Sequence, residues 1–247
     1  MNNNFLTNDL DHVMNHTSHL WRELRGKRIF ITGGTGFIGC WILETLLRAN
    51  LQYDLNIETV VLTRDLESFK KKAPHLASNS AIKYHVGDVC NFTFPKGEFS
   101  HIIHAAAMVS SKVNSKDPIL MFNTIVKGTQ RILDFAISCN AQAILYMSSG
   151  AVYGRQPFDV SHLREDYTGG FDPLDKLSAY GLGKKAAEHL SVLYSNKYDV
   201  EISIARCFSF VGPYLPLDFH YAIGNFLRDG SNGKPIIVKG DGTPLRS

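Results

Sequence analysis

An α/β fold built on a doubly wound parallel sheet is the architecture this 247-residue sequence predicts, and three observations predict it. Short apolar runs alternate with longer segments of helical periodicity, a glycine-rich turn joins the first run to the helix that follows, and the length suits one large domain. Hydrophobic residues make up 44% and charged residues 20%, which excludes disordered, collagenous and disulfide-built chains. The net charge of +3 is too small for a nucleic-acid footprint, so an anionic ligand has to be met locally. Cys40, Cys90, Cys139 and Cys207 lie far apart with no Cys-x-x-Cys pair, which argues against a zinc or redox site and suits a reducing compartment. The Asn-rich start is not a basic-then-apolar signal, and no apolar run reaches membrane-spanning length. The expectation is a cytoplasmic protein with no metal, membrane or nucleic-acid partner.

Residues 5 to 25 carry Leu6, Leu10, Val13, Met14, Leu20, Trp21 and Leu24 at helical spacing, so 1–25 is expected to be a helical extension, with Trp41 a candidate partner for Trp21. Lys27–Thr32 is the first strand and runs into Gly33–Gly39, after which Cys40–Asn50 reads as an amphipathic helix. Further strands are expected at Glu58–Thr63, Ala81–Val86, His101–Ala106, Ala143–Ser149 and Glu201–Arg206. A crossover helix is expected over Pro118–Asn140, started by Asp117-Pro118, and another over Ser178–Asn196. Such alternation predicts right-handed crossovers and a ligand site at the carboxyl ends of the strands. The dinucleotide-binding domain is therefore drawn over 26–206. Beyond Gly212-Pro213 the texture changes to a loop, a short helix (AIGNFLRDG) and one more strand (PIIVKG), drawn as a partial substrate lobe over 207–247.

The turn G-G-T-G-F-I-G sits where a dinucleotide turn has to sit, between strand and helix. Gly33 permits the tight turn, Gly36 lets backbone N–H groups approach a pyrophosphate, and Gly39 packs the helix on the sheet. Thr35, Phe37 and Ile38 are the accompanying expected contacts. A cofactor without a 2′-phosphate usually meets an acidic residue at the end of the second strand; here Thr63 and Arg64 stand there, with Asp65 beyond. Arg64 can pair with a 2′-phosphate, which favours NADP over NAD.

Tyr180 and Lys184 lie four apart on a predicted helix and project from one face, and Ser148-Ser149 ends the fifth strand at the ligand edge. With TGGTGFIG, GDV (Gly87–Val89), HAAA (His104–Ala107), Asn123 with Gly128-Thr129, SSGAVYG (Ser148–Gly154), YGLGK (Tyr180–Lys184) and RCFSFVGP (Arg206–Pro213), the chain resembles the extended short-chain dehydrogenase/reductases, specifically their nucleotide-sugar epimerase/dehydratase branch. The resemblance implies a Rossmann-type fold, Asp88 and Val89 beside adenine, and His104, Ala105, Ala106 and Ala107 lining the cofactor. It implies Ser149, Tyr180 and Lys184 as the catalytic group, with Ser149 and Tyr180 also on the substrate, Lys184 also on the cofactor, and Gly212-Pro213 and Arg246 on the substrate side. Arg246 resembles an arginine that holds a sugar-nucleotide diphosphate. A homodimer through the two long helices is a further implication. The residue types suit the chemistry: a phenol near an ammonium can take the proton of a sugar hydroxyl while the nicotinamide takes the hydride.

Three departures shape the functional expectation. Related 4,6-dehydratases follow the serine or threonine with Asp-Glu, whereas this chain has Gly150 and Ala151, so a C4 epimerase or ketosugar reductase fits better than a dehydratase. Ser209 stands where many relatives have asparagine, in a position expected to touch substrate. The chain stops at Arg246-Ser247 where relatives continue, leaving a small, incomplete C-terminal substrate lobe and an alternative of another class, a dinucleotide-binding module without robust catalysis. His12, His16 and His19 read as a solvated helix face, and Lys70–Lys72 as an exposed loop or helix end.

Overall fold

The computed structural model describes residues 4–106, 116–217, 222–238 and 240. After helix α1 (Asn4–Thr17) come β1 (Arg28–Thr32), α2 (Phe37–Tyr53), β2 (Glu58–Thr63), α3 (Leu66–Lys72), α4 (Pro74–Ala77), β3 (Ile82–Val86) and β4 (His101–His104). The second half holds α5 (Pro118–Ser138), β5 (Ala143–Ser149), α6 (Ala179–Lys197), β6 (Glu201–Cys207) and α7 (Ala222–Ser231). Among the described residues the strands form one six-stranded parallel sheet in the order β3-β2-β1-β4-β5-β6. The order reverses beside β1, where Thr32 pairs with Leu62 on one side and His104 on the other. In a doubly wound sheet the ligand crevice opens at that reversal, beyond the carboxyl ends of the strands.

Strand alternation builds the two layers. Ile29 and Ile31 face a cluster with Met14, Leu43, Val61, Phe69 and Leu76 under α2, α3 and α4, whereas Phe30 points the other way. There it meets Phe99 and Phe135 edge-on at ring separations of 5.5 and 4.8 Å, with Phe92 stacked alongside at 5.7 Å. A smaller cluster of Met121, Ile125, Tyr146 and Ala187 joins α5 and α6 to β5. Asp117 caps α5, accepting the Leu120 N–H at 2.8 Å with Pro118 in the first turn, as the Asp-Pro pair predicts.

Some expectations hold and others are corrected. The leading helix stops at Thr17, whose hydroxyl bonds the Val13 carbonyl, and a single 3₁₀ turn, Trp21–Leu24, follows. α1 docks on α2 through buried Met14 and an Asp11–Arg48 ion pair. Trp21 does not pair with Trp41: its indole donates to Thr17 at 2.9 Å and packs in the Met14 cluster, while Trp41 reaches the Pro213 carbonyl at 3.0 Å. The Lys70–Lys72 run is, as expected, an exposed helix end: it closes α3, which Asp65 caps by accepting from Ser68. Residues 234–238 form no strand, because no described strand lies alongside them, and Ile236, Ile237 and Val238 stay exposed.

Candidate active site

Gly33 adopts φ +72°, and a Cβ on it would fall 2.5 Å from the Ala105 carbonyl oxygen at the end of β4. A Cβ on Gly39 would fall 2.2 Å from the Gly33 carbonyl oxygen, so α2 starts closer to the turn than any side chain permits. Together they leave a cleft of about 380 Å³ at the sheet's reversal point. Ten of the sequence-predicted cofactor residues line it: Gly33, Thr35, Gly36, Phe37, Ile38, Arg64, Asp88, Val89, Ala105 and Ala106. This is a cradle of backbone N–H groups at a helix N-terminus, the environment a pyrophosphate requires. Lys72, at the end of α3, donates to the Thr35 carbonyl at 3.0 Å and brings a positive charge to the turn. Arg64 is 71% exposed and stands 4.0 Å from Asp88, while the Asp65 carboxylate is engaged in capping α3.

His104 lies beneath the cleft and does not line it. It is buried between Thr32, 2.8 Å from Nδ1, and Thr129, 3.1 Å from Nε2, and stacks on Tyr146. Thr32 also accepts the Ala106 N–H at 3.0 Å, so the imidazole braces the cleft wall through a hydroxyl. Burial, aided by the charge of Lys184, pushes its pKa down to about 3.

Ser149 ends β5, and its hydroxyl accepts the Ala151 N–H at 3.2 Å. Lys184 is 2% exposed; its ammonium donates to the Met147 carbonyl at 2.7 Å and sits 4.8 Å above the Tyr146 ring. Desolvation lowers its pKa to about 8 from 10.5, while Cys207 and Glu188 act in the opposite direction. Tyr180, one helical turn earlier, packs on the Tyr146 cluster. The fold thus brings Tyr180 and Lys184 to the carboxyl end of β5, where Ser149 stands. Ser209 is exposed after β6; Ala107 and Arg246 lie outside the described residues.

Sequence reasoning missed the support of this corner. Glu188, one turn after Lys184, is buried and accepts from two of the three guanidinium nitrogens of Arg206, Nε at 3.1 and Nη2 at 2.9 Å, and from the Ser148 hydroxyl at 2.5 Å. Arg206 also donates to Tyr153 at 2.9 Å and to the Glu165 carbonyl at 2.7 Å. Its pKa is pushed further up, first by the bonds to Glu188. The i, i+4 step from Lys184 is the one signal that could have pointed to Glu188. At the departure from dehydratases, a Cβ on Gly150 would meet the Phe208 ring at 2.5 Å.

A parallel sheet with a glycine-turn cleft at its reversal point defines a Rossmann-type nucleotide-binding protein. Residues 29–247 match the model of the NAD dependent epimerase/dehydratase family, and the chain belongs to that family. It is 31% identical over 220 residues to UDP-glucuronic acid decarboxylase 1 of Arabidopsis thaliana, covering 89% of this chain and 48% of the relative. The same identity holds with UDP-glucuronic acid decarboxylase 6 of that plant, covering 89% and 61%. The chain therefore spans about half to three fifths of the curated relatives it matches. Among solved structures, it superposes on a UDP-galactose 4-epimerase with TM-score 0.66 at 27% identity, covering 83% of this chain and 63% of that one. A UDP-glucuronic acid 4-epimerase from Bacillus cereus gives TM-score 0.72 at 23% identity, covering 87% and 67%, a likeness of fold.

His104 gives a pH test. Between 6.5 and about 3 the unfolded chain takes up a proton that the folded imidazole refuses, so its contribution to stability is complete above pH 6.5 and lost as pH falls through 3. In NMR the His104 ring signals should stay flat from pH 8 to pH 5; an inflection near 6.5 would contradict the buried neutral ring.

Proposed function

We propose that this chain modifies a nucleotide-sugar by NAD(P)-dependent hydride transfer at sugar C4, as a 4-epimerase or ketosugar reductase. The observation that carries the reading is the buried Lys184 ammonium, held on the Met147 carbonyl one turn from Tyr180, beside a cleft fitted for a dinucleotide. A bound nicotinamide would supply the acceptor for the hydride from C4. Tyr180 as phenolate takes the C4 hydroxyl proton, and the positive charge of Lys184 favours the phenolate. The Ser149 hydroxyl holds the substrate oxygen. In the reductase reading Tyr180 as phenol gives its proton to the C4 oxygen while hydride would come from a reduced nicotinamide. In the epimerase reading the hydride taken from C4 would be given back on its opposite face and Tyr180 returns the proton.

Elimination of water is the weaker reading, since Gly150 and Ala151 carry no protons and the Phe208 ring fills the space beside Gly150. The names of the curated relatives favour a second reading, decarboxylation of a uronic acid. Oxidation at C4 places a ketone β to the C5 carboxylate, which then leaves as CO₂ without any acid at 150 or 151. A binding module without catalysis has no need of a desolvated lysine. A cytoplasmic location belongs to the same proposal, supported by four cysteines that stand free of one another; among the described residues no helix is long and apolar enough to cross a membrane.

Within the cofactor class we propose NADP, through Arg64. The support is an exposed guanidinium on the cleft wall and a neighbouring Asp65 already committed to its helix. We propose also a homodimer, because Ile119, Leu120 and Phe122 on α5 and Val192 and Leu193 on α6 remain exposed. Sedimentation showing only monomer at micromolar concentration would refute it.

Tyr180→Phe should leave dinucleotide binding nearly unchanged and reduce turnover by about two orders of magnitude or more. Incubated with UDP-, dTDP-, GDP- and CDP-sugars, the protein should give a product of unchanged mass, or of mass raised by reduction of a ketosugar; losses of about 18 or 44 Da would mean dehydration or decarboxylation. Arg64→Ala should weaken NADP binding by about 1–3 kcal/mol and leave NAD almost unaffected; equal losses for both would remove the phosphate contact.

A further inference from the structure

The chain leaves β6 at Cys207 on the edge of the sheet and by residue 213 is bonded to α2, three strand positions away. Three spacings amount to about 14 Å, a distance six extended residues span with slack. The crossing runs over the carboxyl ends of the strands, so Leu215 and Pro216 become part of the wall of the dinucleotide cleft. Nothing in the glycine turn or the Tyr-x-x-x-Lys motif requires this.

The crossing is pinned at successive residues. The Pro213 carbonyl accepts the Trp41 indole N–H at 3.0 Å, and the Tyr214 hydroxyl donates to Glu44 in the middle of α2. Glu44 is a carboxylate only 7% exposed, and the His75 ring nitrogen lies 2.7 Å from the same oxygen. Tyr214 itself has φ +71°, a conformation that a bulky L-residue keeps only where its surroundings impose it. The hydroxyl that meets Glu44 is what its surroundings grip. Burial, and then the Glu44 carboxylate, push the Tyr214 pKa up, so the phenol stays a donor.

We propose that Tyr214 and Glu44 are positioning residues that fasten residues 211–216 over the cleft and thereby set how long the cofactor is held. The inference rests on the dinucleotide reading of the cleft and adds to it the residues that govern release. A dinucleotide lying on the Gly33–Gly39 turn leaves past Leu215 and Pro216, and these move only when the Tyr214–Glu44 bond opens. The pair therefore acts on dissociation and not on encounter.

The test is stopped-flow release of NADH and of NADPH from the full chain, chased with excess oxidised nucleotide. Tyr214→Phe removes one hydroxyl and leaves Glu44 bonded to His75, so the variant should stay folded and unfold cooperatively, with a midpoint lowered by only a few degrees. Release should be faster by about tenfold, the scale of one hydrogen bond to a charged acceptor, with association unchanged. Glu44→Gln keeps an acceptor oxygen and should release close to the wild-type rate, whereas Glu44→Ala should match Tyr214→Phe. Trp41 emission should shift to the red in Tyr214→Phe as Pro213 detaches. Release within twofold of wild type in Tyr214→Phe, or association slowed in proportion, would overturn the proposal. A wild type that retains neither nucleotide would overturn the dinucleotide reading and this proposal together.

Discussion

The site depends on a contact that no side chain could survive. Helix α2 begins so near the end of β1 that a methyl group on Gly39 would overlap the Gly33 carbonyl, and one on Gly33 would overlap the end of β4. That approach aims free backbone N–H groups into the crevice where the strand order reverses. It also sets the position of α2, and α2 in turn carries Trp41 and Glu44, to which the segment after β6 is tied. The floor of the cleft and its roof are thus referenced to one helix.

A second constraint is electrostatic. Lys184 keeps its charge in a place that disfavours it, and its ammonium rests on a backbone carbonyl and an aromatic face. Glu188 lies one turn away, but its carboxylate is already shared between Arg206 and Ser148. Full neutralisation of Lys184 would make its charge unavailable to Tyr180; complete isolation would strip the proton. Burial therefore sets the amine's pKa at about 8, with Cys207 first and Glu188 second pushing back up.

How much of this was legible follows from how local each feature is. The strands, the two long helices, the Asp117 cap and the glycine turn depend on residues adjacent in the chain, and their bounds lie within a few residues of those expected from periodicity. The cleft walls at Arg64, Asp88 and Ala105–Ala106 were legible because each ends a strand, and strand ends converge in this architecture. What escaped depends on tertiary geometry. His104 belongs to the right motif, yet the register Thr32–His104 turns its ring down into a threonine pair, away from the cleft. The Ile-Ile-Val run near the end looked like a strand because its composition is that of one, but a strand needs a neighbour. Trp21 and Trp41 were matched by residue type alone; Trp21 packs in the Met14 cluster, while Trp41 reaches Pro213. Tyr214 had no signal at all, since its partners lie 139 and 170 positions away.

The ring above Gly150 bears on how such a protein could change its chemistry over generations. Phe208 stacks on Tyr153 at 6.2 Å, and Tyr153 is held by Arg206, so the ring belongs to the same packed corner as the Glu188 pair. Planting an acid at 150 collides with that ring unless the half-exposed side chain swings outward, while removing the ring alone brings no new proton carrier. The route toward an eliminating site therefore asks for two coordinated changes, an acid at 150 and a displaced ring at 208. Glycine at 150 and phenylalanine at 208 are thus mutually dependent, and a change at one sets the terms for a change at the other.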